Sequence, residues 1–199
     1  MKTSSVICLL LAMLAGSLAV AGNNSNVAVS VHVTAHASRR SCSSGLPSIG
    51  RCDDVKTTES SADVDCFPVF YELSEYLGCQ YGLTWPGTYT CTFTSCSDLV
   101  IGEIVNPGDG IAHTWTSCQS GRTAIPGWFR IYEPAGGKVC VVPDPDAGDI
   151  YVLDCAEGLD APFETPACAG ISGRPGDDPC GDQPPTQEGT WGEIKTMFD

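Results

Sequence analysis

Apolar and polar residues alternate near the start of the chain. The apolar positions of residues 27–37 share one side of an extended segment: Val27, Val29, Val31, Val33 and Ala35. The positions between them are mostly polar and include His32 and His36. A period of two is typical of a β-strand with one buried face. We therefore expect a strand here, with both histidines on its exposed face.

Short segments with strand character recur from Cys66 onward. They cover residues 67–77, 79–84, 89–93, 99–105, 111–115, 128–132, 138–142 and 149–153. Segment 99–105 is apolar on both faces, which is typical of a central strand, and the turn signal at residues 106–110 follows it. Eight or nine short strands without a convincing long helix predict an all-β fold. The expected architecture is an antiparallel two-sheet sandwich of the Ig-like or jelly-roll-like type.

The remainder of the chain predicts a loop, a tail and a short helix. Residues 22–157 are predicted as the sandwich domain, and residues 38–65 within it as a long loop rich in Ser and Asp. Residues 158–189 shift toward Pro, Gly and Asp, which predicts a tail. Residues 190–198 are predicted as a short amphipathic helix.

The closing helix has a start signal and an apolar face. Thr190 and Glu193 match the Ser/Thr-x-x-Glu capping box. Trp191, Ile194 and Phe198 would share one side of the helix. An isolated helix of two turns is unstable in water, so we expect the segment to dock, either on its own domain or on a partner.

The first 21 residues are typical of a secretory signal peptide. Lys2 precedes an apolar run over residues 6–15, and Ala19 and Ala21 are small residues at the positions that a signal peptidase reads. A permanent membrane anchor needs about 20 apolar residues, whereas Gly16 interrupts this run. We therefore expect export, cleavage after Ala21, and a mature chain that is secreted or periplasmic and has no membrane span.

Cysteine usage predicts the same compartment. Cys8 would leave with the signal peptide, and eleven cysteines would remain: Cys42, Cys52, Cys66, Cys79, Cys91, Cys96, Cys118, Cys140, Cys155, Cys168 and Cys180. None forms the C-x-x-C pair of many metal and redox sites, so a disulfide framework is the better explanation in an exported chain. An odd number leaves at least one thiol free or bonded to another molecule. Candidate local loops join Cys42 with Cys52, and Cys155 with Cys168 or Cys180.

The chain is acidic, with a formal net charge of −14. Signal cleavage would remove one cation, Lys2, and no acidic residue, which gives −15. Nucleic acids and anionic membranes are bound by clustered Lys and Arg, so neither is an expected partner. Acidity of this kind contributes solubility outside the cell.

Several turn and tail segments occur together in this chain. They are Gly-Leu-Thr-Trp-Pro at 82–86, the turn at 104–110, Pro-Gly-Trp at 126–128, Gly-Asp-Asp-Pro-Cys at 176–180 and Thr-Trp-Gly-x-Ile-Lys at 190–195. In this combination the chain resembles a set of uncharacterised exported, cysteine-rich, β-sandwich-like proteins of uncultured bacteria. The resemblance covers roughly residues 66–198. It implies a secreted bacterial protein, but its motifs carry no chemistry and imply no catalytic residues.

No motif specifies an enzyme. G-x-S-x-G, H-E-x-x-H, Walker and G-x-G-x-x-G signatures are absent from the sequence. His32 and His36 would lie about 13 Å apart on a strand, too far to share one metal ion. His113 alternates with Trp115 and is expected on a sheet face. A hydrolase, the third hypothesis, would need His113 in a cleft with a carboxylate and a hydroxyl within reach, and we expect no catalytic activity.

Three acidic residues offer a candidate cation site. Asp144, Asp146 and Asp149 lie close together in one turn, and carboxylate oxygens are the ligands that calcium prefers. An EF-type loop beginning at Asp144 would need Gly and Glu where this chain has Asp149 and Cys155. Turn formation by Asp beside Pro and Gly is the commoner explanation. Calcium remains the alternative, and no other cofactor is expected.

Aromatic residues offer a candidate ligand platform, because their faces pack well against the C–H surfaces of sugars. The aromatic residues considered are Trp85, Trp115, Trp128, Tyr81 and Tyr89. Most of them are expected to fill the core between two sheets. Trp85 is the exception, because Pro86 and Gly87 place it near a strand end. Trp85, Tyr81 and His113 are therefore the candidate ligand-binding residues.

These observations favour a secreted structural or protein-interaction module without catalytic activity. Its closing helix, with Trp191, Ile194 and Phe198, is a candidate docking element. The alternative is an extracellular carbohydrate- or small-ligand-binding module with structural calcium. The expected partner is a protein or a glycan outside the cytoplasm, and an unpaired cysteine would allow an intermolecular disulfide.

Overall fold

The computed structural model describes residues 24, 26–38, 40–87, 91–162 and 165–180. Within these ranges the chain forms one helical turn, Cys52–Asp54, and no described helix is long and apolar enough to span a bilayer. The described strands are β1 Ala28–Ala35, β2 Asp63–Tyr71, β3 Glu75–Thr84, β4 Phe93–Ser95, β5 Leu99–Gly102, β6 Gly110–Ser120, β7 Thr123–Ala124, β8 Gly127–Tyr132, β9 Gly137–Val142, β10 Tyr151–Leu153, β11 Leu159–Asp160 and β12 Ala169–Ile171. The predicted all-β fold is confirmed.

The strands form two sheets whose ladders are antiparallel. The smaller sheet has five strands in the order β1-β2-β8-β4, and β7 also pairs with β2. The larger sheet has seven strands. Its main row is β11-β10-β3-β6-β5, while β9 pairs with β3 and β12 pairs with β9. The prediction of an antiparallel two-sheet sandwich is therefore confirmed.

The main core lies between the two sheets. The alternation along β1 points Val29, Val31 and Val33 inward, and each is at most 3% exposed. Phe70 from the smaller sheet and Tyr81 from the larger sheet meet there, with ring centroids 5.4 Å apart. Burial of a large apolar side chain contributes roughly 1.5–3 kcal/mol, and this contribution, summed over the core, holds the sheets together.

The opposite face of β1 is also buried, so the expectation of exposed histidines on this face is wrong for His32. Ser30 and His32 are almost without solvent exposure, because the loop after β1 folds back over this side. The backbone N–H of Lys56 donates to Nδ1 of His32 at 3.0 Å. The His32 ring stands edge-on to Phe67. A period-two pattern identified the strand, but it could not show that a loop covers the second face.

A buried carboxylate ties this loop to the smaller sheet. Asp65 on β2 is 1% exposed and accepts hydrogen bonds from Nδ1 of His36 at 2.7 Å and from the N–H of Ala37 at 3.0 Å. The guanidinium of Arg40 forms an ion pair with the same carboxylate and lies 5.0 Å from the centroid of the Phe67 ring. A buried charge is tolerated only when it is paired and hydrogen-bonded. The cluster therefore fixes the direction in which the loop leaves β1.

The apolar segment 99–105 is not a central strand. Only Leu99–Gly102 is extended, and among the described strands it pairs with β6 alone. It therefore forms one edge of the larger sheet, where Leu99 is 55% exposed and Ile101 is 65% exposed. Ile104, two residues after the strand, returns to the core.

Residues 159–162 and 165–180 lie within the sandwich, although composition predicted a tail from residue 158. β11 extends the larger sheet, and β12 pairs with β9. The N–H of Gly176 donates to the hydroxyl of Thr58, and the Tyr71 hydroxyl donates to the carbonyl of Pro179. Pro and Gly discourage long regular elements, but these short contacts and two disulfides hold the segment in place.

Four disulfides are present among the described residues. They join Cys42 with Cys96, Cys52 with Cys180, Cys118 with Cys155, and Cys140 with Cys168. The bonded residues are 28 to 128 positions apart in sequence. The predicted local loops are therefore wrong, because a sandwich brings together strands that are distant along the chain.

Three described cysteines are unpaired, which agrees with the expectation of at least one free thiol. Cys66 and Cys79 are buried, and Cys91 is half-buried. Burial raises the pKa of all three thiols, to about 11 for Cys91. Because the thiolate is the reactive form, these side chains remain largely protonated near neutral pH, and the half-buried Cys91 is the most accessible of the three.

Two predictions and one aromatic residue lie outside the described residues. They are the signal peptide at 1–21, the amphipathic helix at 190–198 and Tyr89. Both predictions stand as sequence expectations.

Burial predicts the order in which the thiols react. In a chain that begins at residue 22, an alkylating reagent without reductant should modify Cys91 first, and Cys66 and Cys79 only after denaturation. Intact mass should then show three adducts, and reduction of the denatured chain should add eight more. Cys91→Ser is the control and should lose only the fast adduct. A single adduct on the denatured, unreduced chain would contradict the pairing.

Candidate functional site

The outer face of the smaller sheet is covered by the protein's own loop. Phe67 of β2 points away from the main core and packs with Ile49 and Val55, which form a second hydrophobic cluster. Cys52 in this loop is bonded to Cys180. The covering layer is therefore cross-linked to the end of the described chain, and the apolar side chains beneath it are inside the protein.

In the described part of the chain, the outer face of the larger sheet has no comparable cover. Strand register aligns its outward residues in two rows across five strands. The first row is Leu159, Leu153, Gly78, Thr114 and Leu99. The second row is Tyr151, Gln80, Ala112 and Ile101. Leu159, Leu99 and Ile101 are each more than half exposed.

The middle of each row combines one small residue with one larger polar residue: Gly78 lies beside Thr114, and Ala112 lies beside Gln80. Gly78 on β3 and Ala112 on β6 carry little or no side chain. A Cβ on Gly78 would lie 2.5 Å from the carbonyl oxygen of His113, closer than any van der Waals contact. This position therefore requires glycine, and the surface is lowest at Gly78 and Ala112.

Larger side chains stand on both sides of this floor. One wall consists of Tyr151, Leu153 and Leu159 on β10 and β11, and the other consists of Leu99 and Ile101 on β5. Neighbouring strands are about 4.8 Å apart, so β10 and β5 are separated by about 14 Å. We call the surface formed by these two walls and the floor at Gly78 and Ala112 the outer groove.

The dimensions of the outer groove suit a polypeptide better than a small molecule. The depression between its floor and the β10 wall has a volume of about 110 Å³, whereas small-molecule pockets measure roughly 300–1,000 Å³. The spacing of about 14 Å between the β10 and β5 strands is comparable with the diameter of an α-helix, which is about 10–12 Å with side chains. Exposed contiguous apolar surface of this kind is typical of interaction sites.

Acidic residues border the outer groove. Asp98 directly precedes β5, and its carboxylate accepts hydrogen bonds from the N–H and the hydroxyl of Thr116. These hydrogen bonds hold the pKa of Asp98 below its ordinary value, so the group is ionised at neutral pH. Glu157, in the turn before β11, adds a second exposed carboxyl group.

A buried polar cluster around His113 lies beneath the outer groove. The His113 side chain is 1% exposed and points into the core. Its Nε2 lies 3.2 Å from the Tyr81 hydroxyl, and its Nδ1 lies 2.9 Å from the Ser97 hydroxyl and 3.2 Å from the Ser95 hydroxyl. Burial lowers the pKa of His113 to about 4. The ring is therefore neutral at pH 7, with both nitrogens in hydrogen-bond reach of a hydroxyl.

This cluster differs from the arrangement that a hydrolase would need. Hydroxyl groups surround His113, but none of its hydrogen-bond partners in the described chain is a carboxylate. The ring is also closed to solvent, so it cannot serve as the predicted ligand-binding residue. In this structure His113 fills the core and satisfies the hydroxyl groups around it.

The predicted aromatic platform is not on the surface. Trp85 is 5% exposed and packs against Phe129, and Tyr81 is fully buried. Trp115 packs edge-on against Tyr76 inside the same core. The expectation that Trp85 is exposed is wrong, because the chain turns inward after β3 ends. A sugar ring has no access to the faces of Trp85 or Tyr81.

The acidic turn at residues 144–149 is organised by backbone hydrogen bonds. Asp144 is 4% exposed, and its Oδ1 accepts from the N–H groups of Asp146 and Ala147 at 2.8 and 3.0 Å. Asp149 accepts from the N–H of Ile150. Among the described residues, the groups of three potential ligands within 4.8 Å of one another do not include this turn. The turn-forming explanation therefore accounts for Asp144, Asp146 and Asp149.

Sequence reasoning missed the outer groove. One wall comes from β10 and β11 and the other from β5, and the two walls are joined only through β3 and β6. One sequence signal was present, namely a strand at 99–102 that is apolar on both faces yet lies next to acidic and polar residues. Such a strand can be central, or it can be an edge strand that awaits a partner. The candidate docking residues Trp191, Ile194 and Phe198 lie outside the described part of the chain.

Comparisons with known proteins give only a distant likeness. No family model matches the chain, and no curated protein matches it. Among solved structures, it is similar to a type II cohesin domain from the cellulosome of Acetivibrio cellulolyticus, with a TM-score of 0.45, 10% identity, and coverage of 74% of this chain and 95% of that one.

A second solved structure gives the same level of similarity. It is the second type II cohesin module of the cellulosomal adaptor ScaA scaffoldin of Acetivibrio cellulolyticus, with a TM-score of 0.45 and 9% identity over 75% of this chain and 98% of that one. Values this low assign the chain to no family. The two-sheet architecture stands on the strand pairing described above.

Acid is expected to destabilise the fold through its buried histidines. Burial lowers the pKa of both His113 and His32 from 6.5 to about 4. The folded protein keeps these rings neutral, whereas the unfolded chain binds protons below about pH 6.5. The stabilisation is therefore complete above pH 6.5 and is lost as the pH falls toward 4. Such a shift corresponds to on the order of 3 kcal/mol per histidine.

Urea denaturation between pH 7.5 and pH 4.5 would measure this effect. His113→Gln keeps hydrogen-bonding groups near Tyr81 and Ser97 but cannot titrate, so it should reduce the pH dependence of the unfolding free energy by about half. A pH profile that is the same in the parent and the variant would contradict the assignment.

Proposed function

We propose that this protein is an exported protein-interaction module that binds a protein partner in the outer groove. The observation that carries the proposal is the difference between its two sheets. The outer face of the smaller sheet is covered by a cross-linked loop. The outer face of the larger sheet exposes Leu99, Ile101 and Leu159.

Exposure of these side chains is costly to a protein that remains alone. Each large aliphatic side chain would gain roughly 1.5–3 kcal/mol on full burial, and an exposed apolar edge strand such as β5 invites unwanted pairing. Natural proteins usually protect such edges with charge or a covering loop. A partner that covers both walls would remove this exposed surface.

The dimensions and chemistry of the groove support a protein as that partner. The depression is too small for a typical small molecule, and the aromatic rings that would stack on a sugar are buried. The carbohydrate- and small-ligand alternative therefore loses the residues on which it rested. The walls are apolar and the border is acidic, which suits an apolar strip on a polypeptide surface.

Four disulfides and an acidic surface support a location outside the cytoplasm, because structural disulfides persist in oxidising compartments. The signal peptide at residues 1–21 and the bacterial origin are expectations from the sequence. Together they support an interaction in the extracellular space or the periplasm.

Photo-crosslinking tests whether the outer groove is the contact surface. A photoreactive p-benzoylphenylalanine in place of Ile101 should give an adduct of defined mass in the extracellular fraction of a source culture. The matched control has the same group in place of Tyr132, which is 64% exposed on the smaller sheet, and it should give no such adduct.

A second substitution makes this test specific. Leu159→Asp places a charge on the opposite wall of the groove and, because Leu159 is exposed, should leave the melting temperature unchanged. It should reduce the Ile101 adduct at least tenfold. Equal adducts from positions 101 and 132, or an adduct that is insensitive to Leu159→Asp, would contradict the proposal.

A further inference from the structure

On the basis of the proposed function, we propose that the occupant of the outer groove is the C-terminal segment of a second copy of this chain. Residues 190–198 of one copy would bind as a short helix between the walls on β5 and β10 of the next copy. The two halves of this contact are a groove that the described residues leave uncovered and a segment whose sequence predicts an apolar helix face.

The apolar face of the segment matches the outer groove in size. Trp191, Ile194 and Phe198 would lie on one side of a helix, spread over about 10 Å at a rise of 1.5 Å per residue. The two rows of the groove are about 7 Å apart along the strands. The helix diameter of about 10–12 Å fits the distance of about 14 Å between the β10 and β5 walls.

Docking would also explain how the helix that the sequence predicts could be stable. Nine residues give two turns, and a helix of that length does not persist alone in water. The capping box at Thr190 and Glu193 defines its start, but the stability has to come from packing of the apolar face. Between the walls, Gly78 and Ala112 carry little or no side chain.

The place where the described chain ends makes the segment's own groove hard to reach. Cys180 is bonded to Cys52, and the carbonyl of Pro179 accepts from the Tyr71 hydroxyl. Both contacts lie on the outer side of the smaller sheet, whereas the outer groove lies on the outer side of the larger sheet. To reach the groove of its own copy, the segment would need residues 181–189 to carry residue 190 around the whole sandwich.

The connecting segment, even when fully extended, has little length in excess of what that path requires. Nine residues between Cys180 and Thr190 span at most about 33–36 Å when fully extended. Packed layers are about 10 Å apart, so the loop layer, the two sheets and the docked helix already require about 30 Å straight through the protein. The path around an edge is longer. A neighbouring copy, by contrast, can present its groove directly to the segment.

The contact is therefore heterologous. In each copy the described chain ends on the covered side, and the groove lies on the opposite side. Copies would therefore join head to tail. The resulting assembly remains open unless it closes into a ring. The formal charge of −14 per chain opposes this contact. Because salt screens that repulsion, assembly should strengthen as ionic strength increases.

Sedimentation of the purified mature chain tests the proposal. The weight-average mass should rise with concentration between about 10 µM and 1 mM. A groove variant, Ile101→Asp with Leu159→Asp, should remain monomeric, and so should a segment variant, Trp191→Ser with Phe198→Ser. The matched control Tyr132→Asp changes an equally exposed side chain on the other sheet and should assemble like the parent.

Mixing the two monomeric variants provides the decisive measurement. The groove variant has an intact segment and the segment variant has an intact groove, so a 1:1 mixture should form a heterodimer of twice the monomer mass and nothing larger. Unchanged melting temperatures of both variants establish that they fold. Failure of the mixture to associate, or assembly of the segment variant like the parent, would overturn the proposal.

A labelled peptide of residues 188–199 tests whether the segment binds the groove of its own copy or that of a neighbouring copy. It should bind the segment variant, and Ile101→Asp with Leu159→Asp should weaken that binding at least tenfold. If the parent is monomeric and binds the peptide at least tenfold more weakly than the segment variant does, the segment occupies its own groove and the intermolecular proposal is overturned. A foreign partner crosslinked at position 101 while the chain fails to self-associate would preserve the proposed function and reject this inference.

Discussion

Two packed sheets have four faces, and their packing buries only two of them. The other features of the structure depend on whether the chain covers the remaining two faces or leaves them exposed. On the smaller sheet, the outward residues of β2 include Phe67 and the buried carboxylate Asp65, so the chain has to supply a cover. On the larger sheet, the centre is low at Gly78 and Ala112, and the exposed apolar residues stand at its sides.

The cover over the smaller sheet has little regular structure of its own. It is held by particular contacts: the ion pair between Asp65 and Arg40 at its start, the hydrogen bond from Lys56 to His32 in its middle, and the bond from Cys52 to Cys180. A loop of this length would otherwise lose the entropy of ordering without recovering it in packing. Cross-links and buried charge pairs therefore take the place of a third layer of secondary structure.

Alternation and turn chemistry predicted the strands and the sandwich, because both are local properties of the sequence. Val29, Val31 and Val33 point to the core as their period of two indicates, and the turn at 106–110 separates β5 from β6. Contacts between distant segments could not be predicted in this way. Whether Leu99 and Ile101 are central or at an edge depends on which strands pair beyond β6, and the burial of Trp85 depends on Phe129. The candidate sites failed for the same reason, since the strongest sequence signals marked residues that the fold buries.

The buried thiols have a consequence for the route by which the protein matures. Eight cysteines alone can pair in 105 ways, and three additional thiols would multiply the number of wrong isomers. Cys66 and Cys79 lie on β2 and β3 in the middle of the sandwich, so collapse of these strands removes them from thiol–disulfide exchange. Oxidative folding should therefore succeed only when the core forms before the covalent bonds do. An oxidant that acts on the extended chain would trap mispaired species.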